Sequence, residues 1–175
     1  MTLKKHALLI AFAATSALPT SASIVSAQDV QDRQLTISQG HERTIQGVWR
    51  TVVAPQDCET GVPIVSFPGL FTFNEGGTMS EWGIRPGTSP ALRSPGHGVW
   101  QREHGWQEYS FAFTYYRYNA SGVFVGSQKI TSRLELGASG DEFVTRSVID
   151  VLDANDQLIS TGCATTLGTR FDPLD

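Results

Sequence analysis

From Thr44 onward the chain is written in short runs that are apolar or alternate apolar with polar, each closed by a turn signal. Eight can be read: Thr44 to Val53, Ile64 to Asn74, Thr78 to Ile84, Gly98 to Arg102, Trp106 to Tyr118, Val123 to Leu136, Glu142 to Leu152 and Leu158 to Thr169. Period-two alternation at this length is the mark of half-buried strands. The breaks are Glu75-Gly76-Gly77, Glu103-His104-Gly105, Asn119 to Gly122, Gly137 to Gly140 and Asp153 to Asp156. Breaks this short join only antiparallel neighbours, so most of the chain reads as an up-and-down meander. Two connections are longer: Ala54 to Pro63, which carries Cys58, and Arg85 to His97, whose Pro86, Pro90 and Pro95 make it a surface loop at one rim. A meander of this many strands most economically closes into an eight-stranded antiparallel barrel, which removes exposed sheet edges. A two-sheet β-sandwich is the alternative.

What precedes the runs has a different character. Residues 1–27 open with Lys4, Lys5 and His6, continue through an almost wholly apolar Ala7 to Leu18, break at Pro19 and end on small residues at Ala27. This is the pattern of a bacterial-type secretory signal peptide. The apolar stretch falls short of the ~20 residues of a spanning helix, and no second one follows, so no integral membrane segment is expected after cleavage. Residues 28–43 are polar and read as a flexible lead-in, residues 44–171 as a single β-barrel domain, and residues 172–175 as a tail. The expected location is therefore secreted or periplasmic. In an oxidising compartment two otherwise solitary cysteines, Cys58 and Cys163, tend to pair, and their strands are neighbours if the sheet closes on itself. A formal net charge of −4 argues against nucleic acid as a partner, and the aromatic content of 10% argues against disorder.

Strand parity gives the faces. In Trp106 to Tyr118 one side carries Tyr109, Phe111, Phe113 and Tyr115, a row of rings that either fills the barrel or meets a partner chain. In Val123 to Leu136 the inward set reads Phe124, Gly126, Gln128, Ile130, Ser132, Leu134 and Leu136. In Glu142 to Leu152 it reads Phe143, Thr145, Ser147, Ile149 and Val151. Rings beside small hydroxyls describe a mostly apolar cavity with a few polar groups, suited to a small hydrophobic or amphipathic ligand. The expected lining is Phe71, Phe73, Trp82, Tyr109, Phe111, Phe113 and Tyr115, with the Arg85 to His97 loop at the mouth. A barrel packed solid by the same rings is equally compatible with the pattern.

Reactive constellations are sparse. His97, Glu103, His104 and Glu108 cluster around the fourth run, and Glu81 sits beside Trp82 in an otherwise neutral strand. Glu81, His97 and His104 are the candidates for general acid and base work, although a turn histidine is usually solvated and a lone strand carboxylate usually faces out. No G-x-S-x-G elbow is present, the glycine pairs lie in hairpin turns, and no metal-ligand spacing accompanies the cysteines, so neither a metal nor a cofactor is implied. Asn119-Ala120-Ser121 fits a glycosylation acceptor at a hairpin tip.

Gly47-Val48-Trp49-Arg50 in the first run and Gly168-Thr169-Arg170-Phe171 after the last resemble the lipocalin and wider calycin pattern, in which a G-x-W strand opens the barrel and a late Arg covers the indole. That resemblance implies structural closure by Gly47, Trp49 and Arg170, and carriage of a small hydrophobic molecule in the lumen. The sequence departs from the pattern in having no T-D-Y turn signature and no amphipathic helix after the last run. Allene oxide cyclase and dirigent barrels fit the strand count as well. Three functions follow: a secreted or periplasmic ligand-binding barrel, an isomerase or cyclase acting on an apolar substrate on the same frame, and an oligomeric interaction module whose aromatic row faces outward.

Overall fold

The structure, a computed structural model, describes residues 43–171. The expected signal peptide (residues 1–27), nearly all of the expected lead-in and the expected tail lie outside the described residues. Eight strands run in chain order: β1 (Gly47–Gln56), β2 (Phe67–Phe73), β3 (Thr78–Gly83), β4 (Gly96–Arg102), β5 (Glu108–Tyr118), β6 (Phe124–Leu136), β7 (Glu142–Leu152) and β8 (Leu158–Arg170). They form a closed barrel in which each strand pairs with its sequence neighbours and β8 returns to β1. All pairings are antiparallel, and closure runs from Trp49 opposite Arg170 to Gln56 opposite Cys163. The alternative of a sandwich is thereby excluded. A short 3-10 turn, Pro90–Leu92, forms within the proline-rich loop with Ser89 as its cap, a detail the loop's composition does not announce.

The two ends of the barrel differ. At one end the interior is solid. Trp49 is fully buried and its Nε1 donates to the Ile45 carbonyl at 2.8 Å, which draws the approach to β1 under the barrel floor. Around it Phe73, Met79, Tyr109, Leu136 and Phe143 are buried in the same cluster. Trp49 meets Phe143 edge-on with ring centroids 4.8 Å apart, and Phe73 meets Phe111 at 5.6 Å. Edge-to-face pairs at these separations add about 0.5–1.5 kcal/mol each beyond the area they bury.

Arg170 seals this end. Its guanidinium lies 4.3 Å from the centroid of Trp49 and donates to the carbonyls of Gln46 (2.8 Å), Thr44 (2.7 Å) and Gly140 (2.6 Å). Asp141 stands 3.3 Å from its Nε. Gly47 adopts φ +124°, and a Cβ there would come within 3.1 Å of Arg170 Nη1, so glycine is needed both for the turn of the backbone and for room beside the arginine.

The aromatic row of β5 faces inward, with Tyr109, Phe111 and Phe113 all buried. The interaction module built on an outward row therefore loses its surface. On β6 the expected inward set holds from Gln128 onward but fails at the start of the strand. A bulge between Arg117 and Tyr118 sets Arg117 opposite Gly126 and Tyr118 opposite Phe124, skipping one residue. The slip flips the faces: Phe124 is 42% exposed and packs against Tyr116 and Tyr118, while Val125 turns to the lumen.

Cys58 and Cys163 form a disulfide with Cα atoms 5.3 Å apart. It ties the loop after β1 to β8 at the end away from Trp49.

Candidate functional site

The half of the barrel away from Trp49 is hollow. A cavity of about 450 Å3 opens there, lined on its apolar sides by Phe71, Phe111, Phe113, Ile130, Ile149 and Ala164, with Leu92 and Thr88 of the proline loop among its walls. That volume lies within the usual ~300–1,000 Å3 range of small-molecule sites. Of the seven residues expected to line it, Phe71, Phe111, Phe113 and Tyr115 do. Phe73 and Tyr109 do not. They sit deeper, in the packed closed end, because the interior below Phe111 is filled by the Trp49 cluster.

Trp82 is a correction of a different kind. Neighbouring residues on a strand face opposite ways, so Trp82 and Glu81 cannot both look inward. The structure turns Glu81 in, 5% exposed, and Trp82 out, 37% exposed. Glu81 is held there by Arg93 from the end of the proline loop. Arg93 Nη1 donates to Glu81 Oε1 at 3.3 Å, and Nη2 donates to Oε2 in a direct ion pair. The same guanidinium donates to the Gly83 carbonyl at 2.7 Å and lies 3.6 Å from the centroid of the Tyr115 ring. Gly96 on β4 makes space for this arrangement, since a Cβ there would fall 2.7 Å from Glu81 Oε2 and 2.8 Å from Phe113 Cδ2.

Burial pushes the Glu81 carboxyl above the usual glutamate range, and the Arg93 charge and hydrogen bonds draw it back only in part. Burial likewise raises the Tyr115 phenol, with Arg93 opposing the rise. The Tyr115 hydroxyl donates to Gln128 Oε1 on the facing strand. Deeper in, Ser132 and Ser147 hydroxyls are 2.6 Å apart, and Thr145 Oγ1 accepts from the Thr166 amide at 3.0 Å. The lumen thus offers an aromatic body, neutral hydroxyls below and charged groups toward the mouth.

His97 and His104 are not part of it. His97 is exposed on β4, and His104 pairs with Glu108 at 3.5 Å with its side chain 84% exposed, so the histidine cluster is a solvated hairpin. Among the described residues no group of His, Cys, Asp and Glu is arranged to hold a metal ion.

Two charged residues of the site are not singled out by the sequence reading. Arg117 continues the inward row of β5 past Tyr115 and lines the cavity; extending the parity by one more step finds it. Arg93 lies in a loop where no periodicity operates, and only the fold brings it to Glu81. Neither a comparison with protein-family models nor one with curated protein sequences finds a match for this chain.

Proposed function

We propose that this chain is an exported, calycin-like binding barrel that holds one small apolar or amphipathic molecule in the open half of its lumen. The observation that carries this reading is the cavity itself: a one-ended hollow walled by Phe71, Phe111, Phe113 and Tyr115 above a solid aromatic floor. A barrel stabilised only by packing would be filled along its length, since a void forfeits contacts on its whole lining. The arginine stacked on the G-x-W indole at the closed end supports the calycin likeness. The Cys58–Cys163 bond supports an oxidising compartment, and with it the reading of residues 1–27 as an export signal.

The test is titration with phenylnaphthylamine, a neutral fluorophore that brightens in apolar surroundings. Saturable binding at one probe per protein is expected, and Ser147→Trp, which fills the cavity at its floor, should abolish it while leaving the β-sheet circular dichroism intact. Absence of saturable binding by the wild type, or unaltered binding by the filled variant, refutes the reading.

A second reading is favoured by one observation, the inward, desolvated Glu81. A carboxyl held above its ordinary range beside an apolar substrate can shuttle a proton, as an isomerase or cyclase requires. Arg93 occupies both of its oxygens, so this chemistry needs the pair to part first. A Glu81→Gln variant that binds ligands normally and retains whatever turnover the wild type shows removes the enzyme reading.

A further inference from the structure

The charged groups of the cavity do not balance. Its lining holds three arginines, Arg85, Arg93 and Arg117, against one carboxylate, Glu81. Arg93 and Glu81 satisfy one another through two hydrogen bonds. Arg85 is exposed at the lip, where water serves it. Arg117 is different: its Nη1 is buried and has no hydrogen-bond partner.

No described carboxylate is placed to answer it. Asp153 of the nearby β7–β8 turn accepts from its own turn amides, Asn155 at 2.8 Å and Gln157 at 2.9 Å. Asp150 accepts from the Thr161 hydroxyl on the outer face at 3.1 Å. The Tyr115 hydroxyl is directed to Gln128. A guanidinium nitrogen removed from water without an acceptor is costly, and arginine cannot escape by losing its proton. In a ligand site such a group gains its partner when the ligand arrives.

Position fixes which part of the ligand that is. Arg117 stands near the open end of β5, one inward step above Tyr115, and Phe113 and Phe111 follow below it along the same row. Ser132 and Ser147 at the floor are neutral and bonded to each other. A molecule entering apolar end first would lay its body along the phenylalanines and leave its head at the level of Arg117, with Arg85 beyond it at the lip.

Building on the binding-barrel reading above, we propose that the ligand is an anionic amphiphile, and that Arg117 at the mouth of the lumen binds its carboxylate head. Arg117 is then the residue that sets head-group specificity, while the rings supply affinity that is indifferent to charge. A cationic head would meet two unneutralised arginines and be rejected.

The experiment is displacement of phenylnaphthylamine from the purified protein by three molecules with the same saturated tail, lauric acid, lauryl alcohol and laurylamine, at neutral pH and low salt. The wild type should bind the acid roughly ten- to a hundredfold more tightly than the alcohol, the range of a charge-assisted hydrogen bond, and the amine most weakly. Arg117→Gln should bring the acid down to the affinity of the alcohol and leave the alcohol unchanged. Arg117→Lys, which keeps the charge and guards against a folding defect in the first variant, should recover part of the preference. Equal affinity for acid and alcohol in the wild type, or an acid preference that survives Arg117→Gln, overturns the assignment of the head-group site while the bound probe upholds the cavity. Failure of the probe itself to bind overturns the binding barrel and this proposal with it.

Discussion

Replacing Arg93 by Met should destabilise the barrel by an amount that depends on pH, because the substitution leaves Glu81 buried without its counter-charge. Glu81 and Arg93 side chains are only 4% and 11% exposed, so solvent screens the pair poorly. Opposite charges about 4 Å apart interact by roughly 4 kcal/mol at an effective dielectric near 20. Breaking a buried pair from one side typically costs about 3–5 kcal/mol. The folded-state Glu81 carboxyl is already raised by burial, and losing Arg93 raises it further. A raised acid contributes stability that is complete below its unfolded value, near ~4.3, and is lost as pH climbs through the folded value, at up to about 1.4 kcal/mol per pH unit. The deficit of Arg93→Met should therefore be largest, about 3–5 kcal/mol, above the variant's folded value. It should shrink toward about 1 kcal/mol, the net worth of an ordinary hydrogen bond, as pH falls to ~4.5. Urea unfolding followed by tryptophan fluorescence resolves this: with a slope near ~2 kcal/mol per molar, a loss of ~4 kcal/mol moves the midpoint by about 2 M. Adding Glu81→Leu removes the stranded charge and should restore stability to within ~1 kcal/mol of wild type or above it. A deficit that is the same at both ends of the pH range, or a double variant as unstable as the single, refutes the buried-pair argument.

Other parts of the molecule give independent tests. Cutting the Cys58–Cys163 bond, by Cys→Ser at both positions or by reductant, releases a loop spanning 105 residues and should cost about 4–5 kcal/mol on the chain-entropy model, read as a lower urea midpoint; a change under ~1 kcal/mol contradicts it. Arg170→Met strands three carbonyl acceptors and uncovers Trp49; a loss of about 3–5 kcal/mol is expected, with probe affinity unchanged because the cavity is at the other end. The buried Tyr109 hydroxyl has no hydrogen-bond partner, so Tyr109→Phe should be neutral or stabilising by up to about 1 kcal/mol, and a clear destabilisation in thermal unfolding shows that the hydroxyl is bonded after all.

The strands were legible because burial imposes a period of two on every wall of the barrel. β7 falls where alternation places it, Glu142 to Leu152, and the other strands differ from their runs by a few terminal residues. Parity also separates the faces of β5 and β7, and for β5 closure of the barrel decides that the ring face is the inner one. The expected inward set and lining depart from the structure in three places, each for a physical cause. Phe124 and Val125 exchange faces because the bulge at Arg117 and Tyr118 skips a residue; Gly126, at φ +130°, lies beside the skip, but a lone strand glycine signals a bulge without fixing which residue is passed over. Hydrophobicity alone favours the lumen for Trp82, although its neighbour Glu81 then has to face outward. Arg93 decides between them, and it lies outside any alternating run. Phe73 and Tyr109 point inward as expected, but parity carries no information about depth along the axis, and depth separates a packed floor from a cavity wall.

The two ends of the barrel use the same pair of groups to opposite effect. At the closed end a guanidinium lies over an indole and spends its donors on the backbone carbonyls of Thr44, Gln46 and Gly140, so Arg170 completes a packed unit. At the open end a guanidinium lies over a phenol and spends its donors on a carboxylate, and a second arginine is left with a buried nitrogen unpartnered. Polar groups of that kind oppose collapse of the upper lumen, since closing the rings around Arg117 and Gln128 would bury further donors without giving them acceptors. An upper half held open in this way is short of packing energy. The disulfide lies at that same end, fastening the β1–β2 loop to β8. Aromatic packing is concentrated below Phe111 and the proposed head-group site lies above it, so variants near Trp49 should alter the unfolding midpoint and leave ligand preference alone, while Arg117 variants should change ligand preference.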